Sequence, residues 1–476
     1  MNWDSRYFIV LLSVVLAGCG SPGDKSHLSK ISAPLSYSAS VGSTNNPLDN
    51  WIEDFADPQL NALIAEAQEK NLNLQASAAR VMAALGTARI ENAGRLPSVD
   101  AGFNAARNKR VAAAGFALRN PKADTFGLNA TFAWELDLWG KLANRSGAAR
   151  ADAEAAGADF VAAQLSIAAN TAKLWFALIE AEMQLRLATQ AHDSFQKNLE
   201  IVEQGFDRGV REALDVRLTR ANVASALASI KARKRERDNA ARAMEVILGR
   251  YPADQISTRT NLPAFHREIP GGLPSQLLER RPDLMAAERR LAAADARKKL
   301  AKKSLYPTIS LTANGGTSSA VMEDILDPEQ NVWRLAAGLT QPIFRGGTLR
   351  GGLEVADARL NEQIAVFSQT VLNAFQEVEN SLDNEQLLLE QESALKTAAT
   401  ESVAAEEIAW ERYNRGLVDI ITVLDSQRRA VNAQSSRFAI SRARLQNRVD
   451  LYLALGGDFC NPSEATGSAD NSENTE

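Results

Sequence analysis

The chain has 476 residues, with 53 lysines and arginines against 58 aspartates and glutamates, a formal net charge of −5. That balance offers no basic face for nucleic acid, and two cysteines, Cys19 and Cys460, are too few for a disulfide framework or a thiolate metal site. His27, His192 and His266 lie in separate regions without metal-ligand spacing, and no phosphate loop or dinucleotide fingerprint occurs, so neither an enzyme nor a bound cofactor is expected.

Arg6 precedes an apolar run from Tyr7 to Leu16 that is too short to cross a bilayer, which takes about 20 residues. Residues 1–18 read as a secretory signal peptide. The ending Leu16-Ala17-Gly18-Cys19 resembles a bacterial lipobox, which makes Cys19 the expected lipidation site and a covalent lipid the expected attachment. The alternative is an ordinary signal peptide with an incidental cysteine. Ser21 stands where an aspartate would retain a lipoprotein in the inner membrane, and so points to outer-membrane sorting. Residues 19–50 are rich in Ser, Gly, Asn and Pro and read as an extended, lipid-anchored tether. No later run is apolar enough for a membrane helix, so any crossing by the mature chain requires β-strands closed into a barrel.

Between the tether and a polar, acidic tail at 461–476, expected to be disordered, the chain repeats itself. A shift of 210 places Leu74 on Leu284, Arg80 on Arg290 and Pro97 on Pro307. A shift of 207 places Arg208-Gly209 on Arg415-Gly416, Val216 on Val423 and Leu248-Gly249 on Leu455-Gly456. Residues 51–260 and 261–460 are therefore expected to be two structural repeats of one unit.

Each repeat opens with a helical segment, expected at 59–95 and 275–305, in which Leu60, Leu63, Ile64 and Ala67 share a face. Pairs of strands follow, at about 97–140 and 306–345. From Phe126 to Leu138 the apolar residues Phe126, Leu128, Phe132, Trp134 and Leu136 alternate with Asn129, Thr131, Glu135 and Asp137. This alternation fits barrel strands with Trp134, Trp139, Tyr306, Trp333 and Phe344 at the membrane interfaces, or else a half-buried soluble sheet.

Long helical hairpins end each repeat, because no proline occurs between Pro121 and Pro252 or between Pro342 and Pro462. A helix from about 146 to 206 would be roughly 90 Å long. In the second copy Leu360, Ile364, Phe367, Val371, Phe375, Val378 and Leu382 form a packing seam. Four strands cannot close a barrel, since the smallest membrane barrels use about eight, so several chains must share one. Geometry leaves their number open. The rival from another class is a lipid-anchored periplasmic coiled-coil structural protein without a pore.

The segment Trp51-Ile52-Glu53-Asp54-Phe55-Ala56-Asp57-Pro58, with Asn71-Leu72-Asn73-Leu74, resembles the opening of TolC-like outer-membrane efflux proteins, lipoprotein branch. So do Glu279-Arg280-Arg281-Pro282-Asp283-Leu284, Tyr306-Pro307, Pro342-Ile343-Phe344, Arg412-Tyr413-Asn414-Arg415-Gly416 and Leu424-Asp425-Ser426-Gln427-Arg428, in order over residues 48–460. The resemblance implies an α+β, mainly α fold: a transmembrane β-barrel, four strands per chain and twelve in a homotrimer, continued by a long α-helical periplasmic barrel. It implies a passive efflux channel in the outer membrane of a Gram-negative bacterium, served by a periplasmic adaptor protein and an inner-membrane efflux pump.

The resemblance also assigns the periplasmic gate to Ile421, Asp425 and Arg428. Their spacing puts them on one helical face, where Asp425 can form an acidic ring and its pairing with Arg428 can latch neighbouring helices. A solvated charge pair explains the same spacing. The hairpin tips, Gly205, Arg208, Gly209, Arg415 and Gly416, are the implied adaptor contacts, although tight turns alone would also require glycines there. Lys298, Lys299, Lys302 and Lys303 are expected either to meet anionic headgroups or to form a solvated face.

Overall fold

The computed structural model describes residues 51–109, 112–114, 117–119, 122–264 and 280–457. Cys19, the signal peptide, the tether and the acidic tail lie outside the described residues. A 3-10 turn at Trp51–Phe55 leads into helices α1 (Pro58–Lys70) and α2 (Leu72–Ala93). Strands β1 (Ser98–Lys109), β2 (Ala112–Ala114), β3 (Ala117–Arg119) and β4 (Lys122–Leu136) come next. The first hairpin is α3 (Lys141–Asp207) with α4 (Ala213–Ile247). The second copy runs α5 (Pro282–Lys303), β5 (Thr308–Ser319), β6 (Asn331–Thr340), α6 (Thr348–Asn414) and α7 (Ile420–Ala454). Both long helices have 67 residues and both return helices 35, so the duplication is written in the element lengths. At 1.5 Å per residue the long helices run about 100 Å.

The single helix expected over 59–95 is two helices. Asn71 leaves helical geometry between them, and its side chain accepts from the backbone N–H groups of Asn73 (3.0 Å) and Leu74 (3.2 Å) while donating to the Ile247 carbonyl (2.8 Å). One amide side chain thus caps α2 and ties the bend to the end of α4, a use of Asn that periodicity does not register.

The four main strands form one antiparallel sheet in the order β1-β4-β5-β6. Phe132 sits opposite both Val99 and Ala313, and Trp134 opposite Leu311. Among the described residues no long helix packs along this sheet, which only the short 3-10 turns Met322–Leu326 and Pro328–Gln330 touch, and Trp333 is 83% exposed on it. Its apolar face is thus left to another medium or another chain. At the end where the strands join the helices, Trp139 packs on Tyr306 with ring centroids 5.7 Å apart and donates to the Pro307 carbonyl at 2.7 Å. Phe344 follows β6 at the same end, 87% exposed; Trp333, near the start of β6, lies at the other.

Side by side, the hairpin helices run α4–α3–α7–α6, which leaves α4 and α6 as the two outer edges. The core sits where α1 and the starting turn plug the hairpins: Phe55, Leu60, Trp175, Phe176 and Leu451 are fully buried. Asp57 is buried with them, capping α1 through Gln59 and Leu60, accepting from the Trp175 indole at 2.9 Å and pairing with Arg259 at 3.2 Å. Of the expected α6 seam, Val371, Val378 and Leu382 are buried. The lysine cluster is largely paired on the surface of its own chain: Lys298 pairs with Asp357 (2.5 Å), Lys299 with Asp295 (2.6 Å), and Lys303 donates to the Gly140 carbonyl (3.5 Å). Three of the four cations are therefore held by their own chain.

Candidate functional site

Both hairpins turn in the same way. The N–H of Val210 donates to the Gly205 carbonyl (2.9 Å) and that of Gly209 to Phe206 (2.8 Å); in the second copy Leu417 donates to Arg412 (2.9 Å) and Gly416 to Tyr413 (2.9 Å). These are Schellman ends, whose left-handed residue costs an L side chain about 1–2 kcal/mol. Gly209 (φ +75°) and Gly416 (φ +73°) take that position. Gly205 does not. It is helical and buried, and a Cβ there would meet the Arg211 Cγ at 2.6 Å. Of the expected tip residues, Arg208, Gly209, Arg415 and Gly416 are exposed, whereas Gly205 serves close packing and presents no surface. The two tip arginines are partly engaged, Arg208 with Gln204 (3.1 Å) and Arg415 with Glu411.

The tips are tied together beneath their turns. Val202, Val216, Ala409, Tyr413, Ile420 and Val423 form one buried cluster drawn from all four hairpin helices. The Tyr413 hydroxyl donates to Asp215 Oδ2 at 2.9 Å. The Arg211 guanidinium lies 3.9 Å from the Tyr413 ring centroid and donates to its carbonyl at 2.8 Å. Burial and the Asp215 hydrogen bond push the Tyr413 phenol well above its ordinary range. Tyr413 lay within a motif visible in the sequence, but its partners are about 200 residues away and carry no local signal.

The last helix begins at Asp419, whose carboxylate accepts from the Thr422 N–H (2.8 Å) and hydroxyl (2.7 Å), contacts that hold its pKa down. On the first turns of α7, Ile420 and Val423 face inward and Ile421 outward, 59% exposed. One turn on, Asp425 accepts from Arg429 Nε at 2.6 Å and from Arg428 at 2.5 Å. The Arg429 and Arg428 hydrogen bonds lower the Asp425 carboxyl below the usual carboxylate range. The sequence reading places Ile421, Asp425 and Arg428 together, and the structure keeps that grouping, with two differences. Arg428 pairs within its own helix, because a three-residue spacing brings it back over Asp425. Arg429 is a second cation on the same carboxylate, so each chain contributes a cluster of two positive charges and one negative. Among the described residues no group of His, Cys, Asp or Glu is arranged to hold a metal ion.

The model of the outer membrane efflux protein family matches residues 63–250 and again 273–457, once for each repeat. The outer membrane protein OprJ of Pseudomonas aeruginosa is 31% identical over 421 residues, 88% of each chain. The probable outer membrane lipoprotein SilC of Salmonella typhimurium is 27% identical over 453 residues, 94% of this chain and 97% of its own length. The solved outer-membrane channel OprN superposes with a TM-score of 0.82 at 28% identity, covering 90% of this chain and 98% of OprN. With its fold, its duplication and its two family matches in agreement, the chain belongs to the outer membrane efflux protein family.

Proposed function

We propose that the chain is the outer-membrane channel of a tripartite efflux system and works as a ring of three copies. One observation carries the reading: an uncovered four-stranded sheet continues directly into helical hairpins about 100 Å long. The sheet ends on β1 at one side and β6 at the other, with no partner on either outer edge among the described residues. β1 and β6 run in opposite directions, so the β6 of one copy can pair antiparallel with the β1 of the next and leave no edge in the bilayer. Three copies give twelve strands, within the range of membrane barrels. The hairpins then line a tube that continues the pore.

The channel performs no chemistry; an inner-membrane pump supplies the energy and a periplasmic adaptor joins the two at the exposed turns around Arg208-Gly209 and Arg415-Gly416. A lipid on Cys19 anchors the chain beside its own barrel, a reading supported by the Leu-Ala-Gly-Cys motif and the resemblance to SilC. Ile421, Asp425, Arg428 and Arg429 close the periplasmic end.

Detergent-extracted full-length protein tests this directly, by native mass and by conductance in a planar bilayer. A trimer that passes current supports the channel. Trimers that insert and never conduct would favour a lipid-anchored structural rod.

A further inference from the structure

The repeat allows the contact between neighbouring copies to be derived from a contact inside one. Within the chain, α3 of the first hairpin lies against α7 of the second. Gln184 donates to the Ser435 carbonyl at 3.0 Å and accepts from its hydroxyl at 2.8 Å, and Gln446 donates to the Lys173 carbonyl at 3.4 Å. A shift of 207 carries α7 onto α4 and α3 onto α6, the two helices left at the outer edges. In a ring, α4 of one copy therefore meets α6 of the next. Ser435 becomes Ala228 and Gln184 becomes Gln391; Gln446 becomes Asn239 and Lys173 becomes Asn380.

The two helices differ in charge. Several of these charges pair within the chain, as Arg220 does with Glu203 and Glu392 with Arg444, but exposed charges of opposite sign remain on the two edges. Helix α4 has eight basic and four acidic residues, whereas residues 377–411 of α6 have ten acidic residues and one lysine. In the derived register Arg235 falls opposite residue 384, beside Asp383, and Arg217 opposite residue 402, beside Glu401. Arg217, Ala228 and Arg235 are eleven and seven residues apart and so share one face of α4. All four charged residues are exposed in the single chain. The corresponding places in the intrachain seam hold Leu424 near Ser194 and Arg442 near Phe176, so these two pairs have no counterpart there; that seam has a different ion pair, Lys173 with Asp450.

We propose that α4 is an interaction surface for α6 of a second copy of this chain, held by ion pairs of Arg235 with Asp383 and of Arg217 with Glu401. Salt then screens these exposed pairs and loosens the seams between copies. This rests on the ring reading above.

The test uses full-length protein in detergent, with the trimer fraction followed against sodium chloride. Arg217→Glu with Arg235→Glu should weaken association about tenfold per interface, so that trimers dissociate at lower salt, as should Asp383→Arg with Glu401→Arg. Combining all four substitutions should restore most of the loss, because the pairs are re-formed with reversed sign. In a Cys460→Ser background, Ala228→Cys with Gln391→Cys should form a disulfide between copies. Reversals that leave dissociation unchanged, or a fourfold variant no better than its parents, would overturn the ion pairs. If the disulfide nevertheless forms, the register and the ring survive that loss. Wild-type protein that stays monomeric would remove the ring reading and this proposal together.

Discussion

Tyr413, four residues before the second turn closes, donates its hydroxyl to Asp215 in the first turn of the other hairpin's return helix, 2.9 Å away. The two halves of the duplicated chain are thereby joined at the end farthest from the sheet. A hydrogen bond to a charged acceptor contributes about 1.5–3 kcal/mol. Tyr413→Phe should therefore loosen the tips while leaving the fold intact, visible as faster amide exchange over 205–216 and 410–423 with little change in residues 51–70. The pH dependence has a defined sign. The folded phenol titrates above its unfolded value of about 10, so its stabilisation is complete below that value and disappears only as pH rises through the folded one. The tie should hold across the neutral and mildly alkaline range.

Gly205 acts on the same tie from the other side. Alanine there drives a methyl group into the aliphatic part of Arg211, which can yield only by swinging away from Tyr413. Gly205→Ala should thus match Arg211→Ala in its effect on tip exchange, each losing a cation–π contact of about 0.5–2 kcal/mol and one hydrogen bond. Gly416→Ala should cost about 1–2 kcal/mol through its left-handed backbone instead, and deleting the Arg211 side chain as well should add to that cost. Thermal midpoints of the single and double variants separate the two mechanisms.

The buried Asp57 gives the clearest stability prediction. It caps α1, accepts from the Trp175 indole and pairs with Arg259, so three groups depend on one carboxylate. Asp57→Ala leaves the buried indole N–H without its acceptor, at about 1–3 kcal/mol, and removes the cap of α1, at about 0.5–2 kcal/mol, while the half-exposed Arg259 turns to solvent. The variant should melt well below wild type by calorimetry, and Trp175→Phe should recover part of the difference when added to it.

The duplication, the strand alternation and the long helices were legible because each depends on local period: two for the strands, three to four for the helices, and 207 for the repeat. The same holds for the grouping of Ile421, Asp425 and Arg428, which one helix brings together. Asn71 breaking a helix, Gly205 packing rather than turning, and the Tyr413–Asp215 tie were not legible. Each depends on a partner far along the chain, and a sequence pattern records spacing, not partners. Arg429 was missed for a different reason: it stands next to Arg428, and only rotamers show that both reach the same carboxylate.

In the proposed trimeric channel, Arg429 changes what the periplasmic end should select. An isolated ring of Asp425 would favour cations, but each Asp425 carries two arginines within hydrogen-bond distance, so three copies sum to a net positive collar. These hydrogen bonds also depress the Asp425 pKa, so the carboxylate stays ionised at neutral pH. Their stabilisation is present above the unfolded carboxylate value of about 3.9 and is lost as pH falls through the lower folded one. Asp425→Ala should strip the only negative charge from the cluster and shift the reversal potential in a salt gradient toward anions. Arg428→Ala with Arg429→Ala should expose the aspartate and shift it toward cations. Ile421→Ala keeps every charge and widens only the apolar rim, so it should raise conductance without moving the reversal potential. Reversal potentials unmoved by any of the charge substitutions would place the constriction elsewhere along the tube.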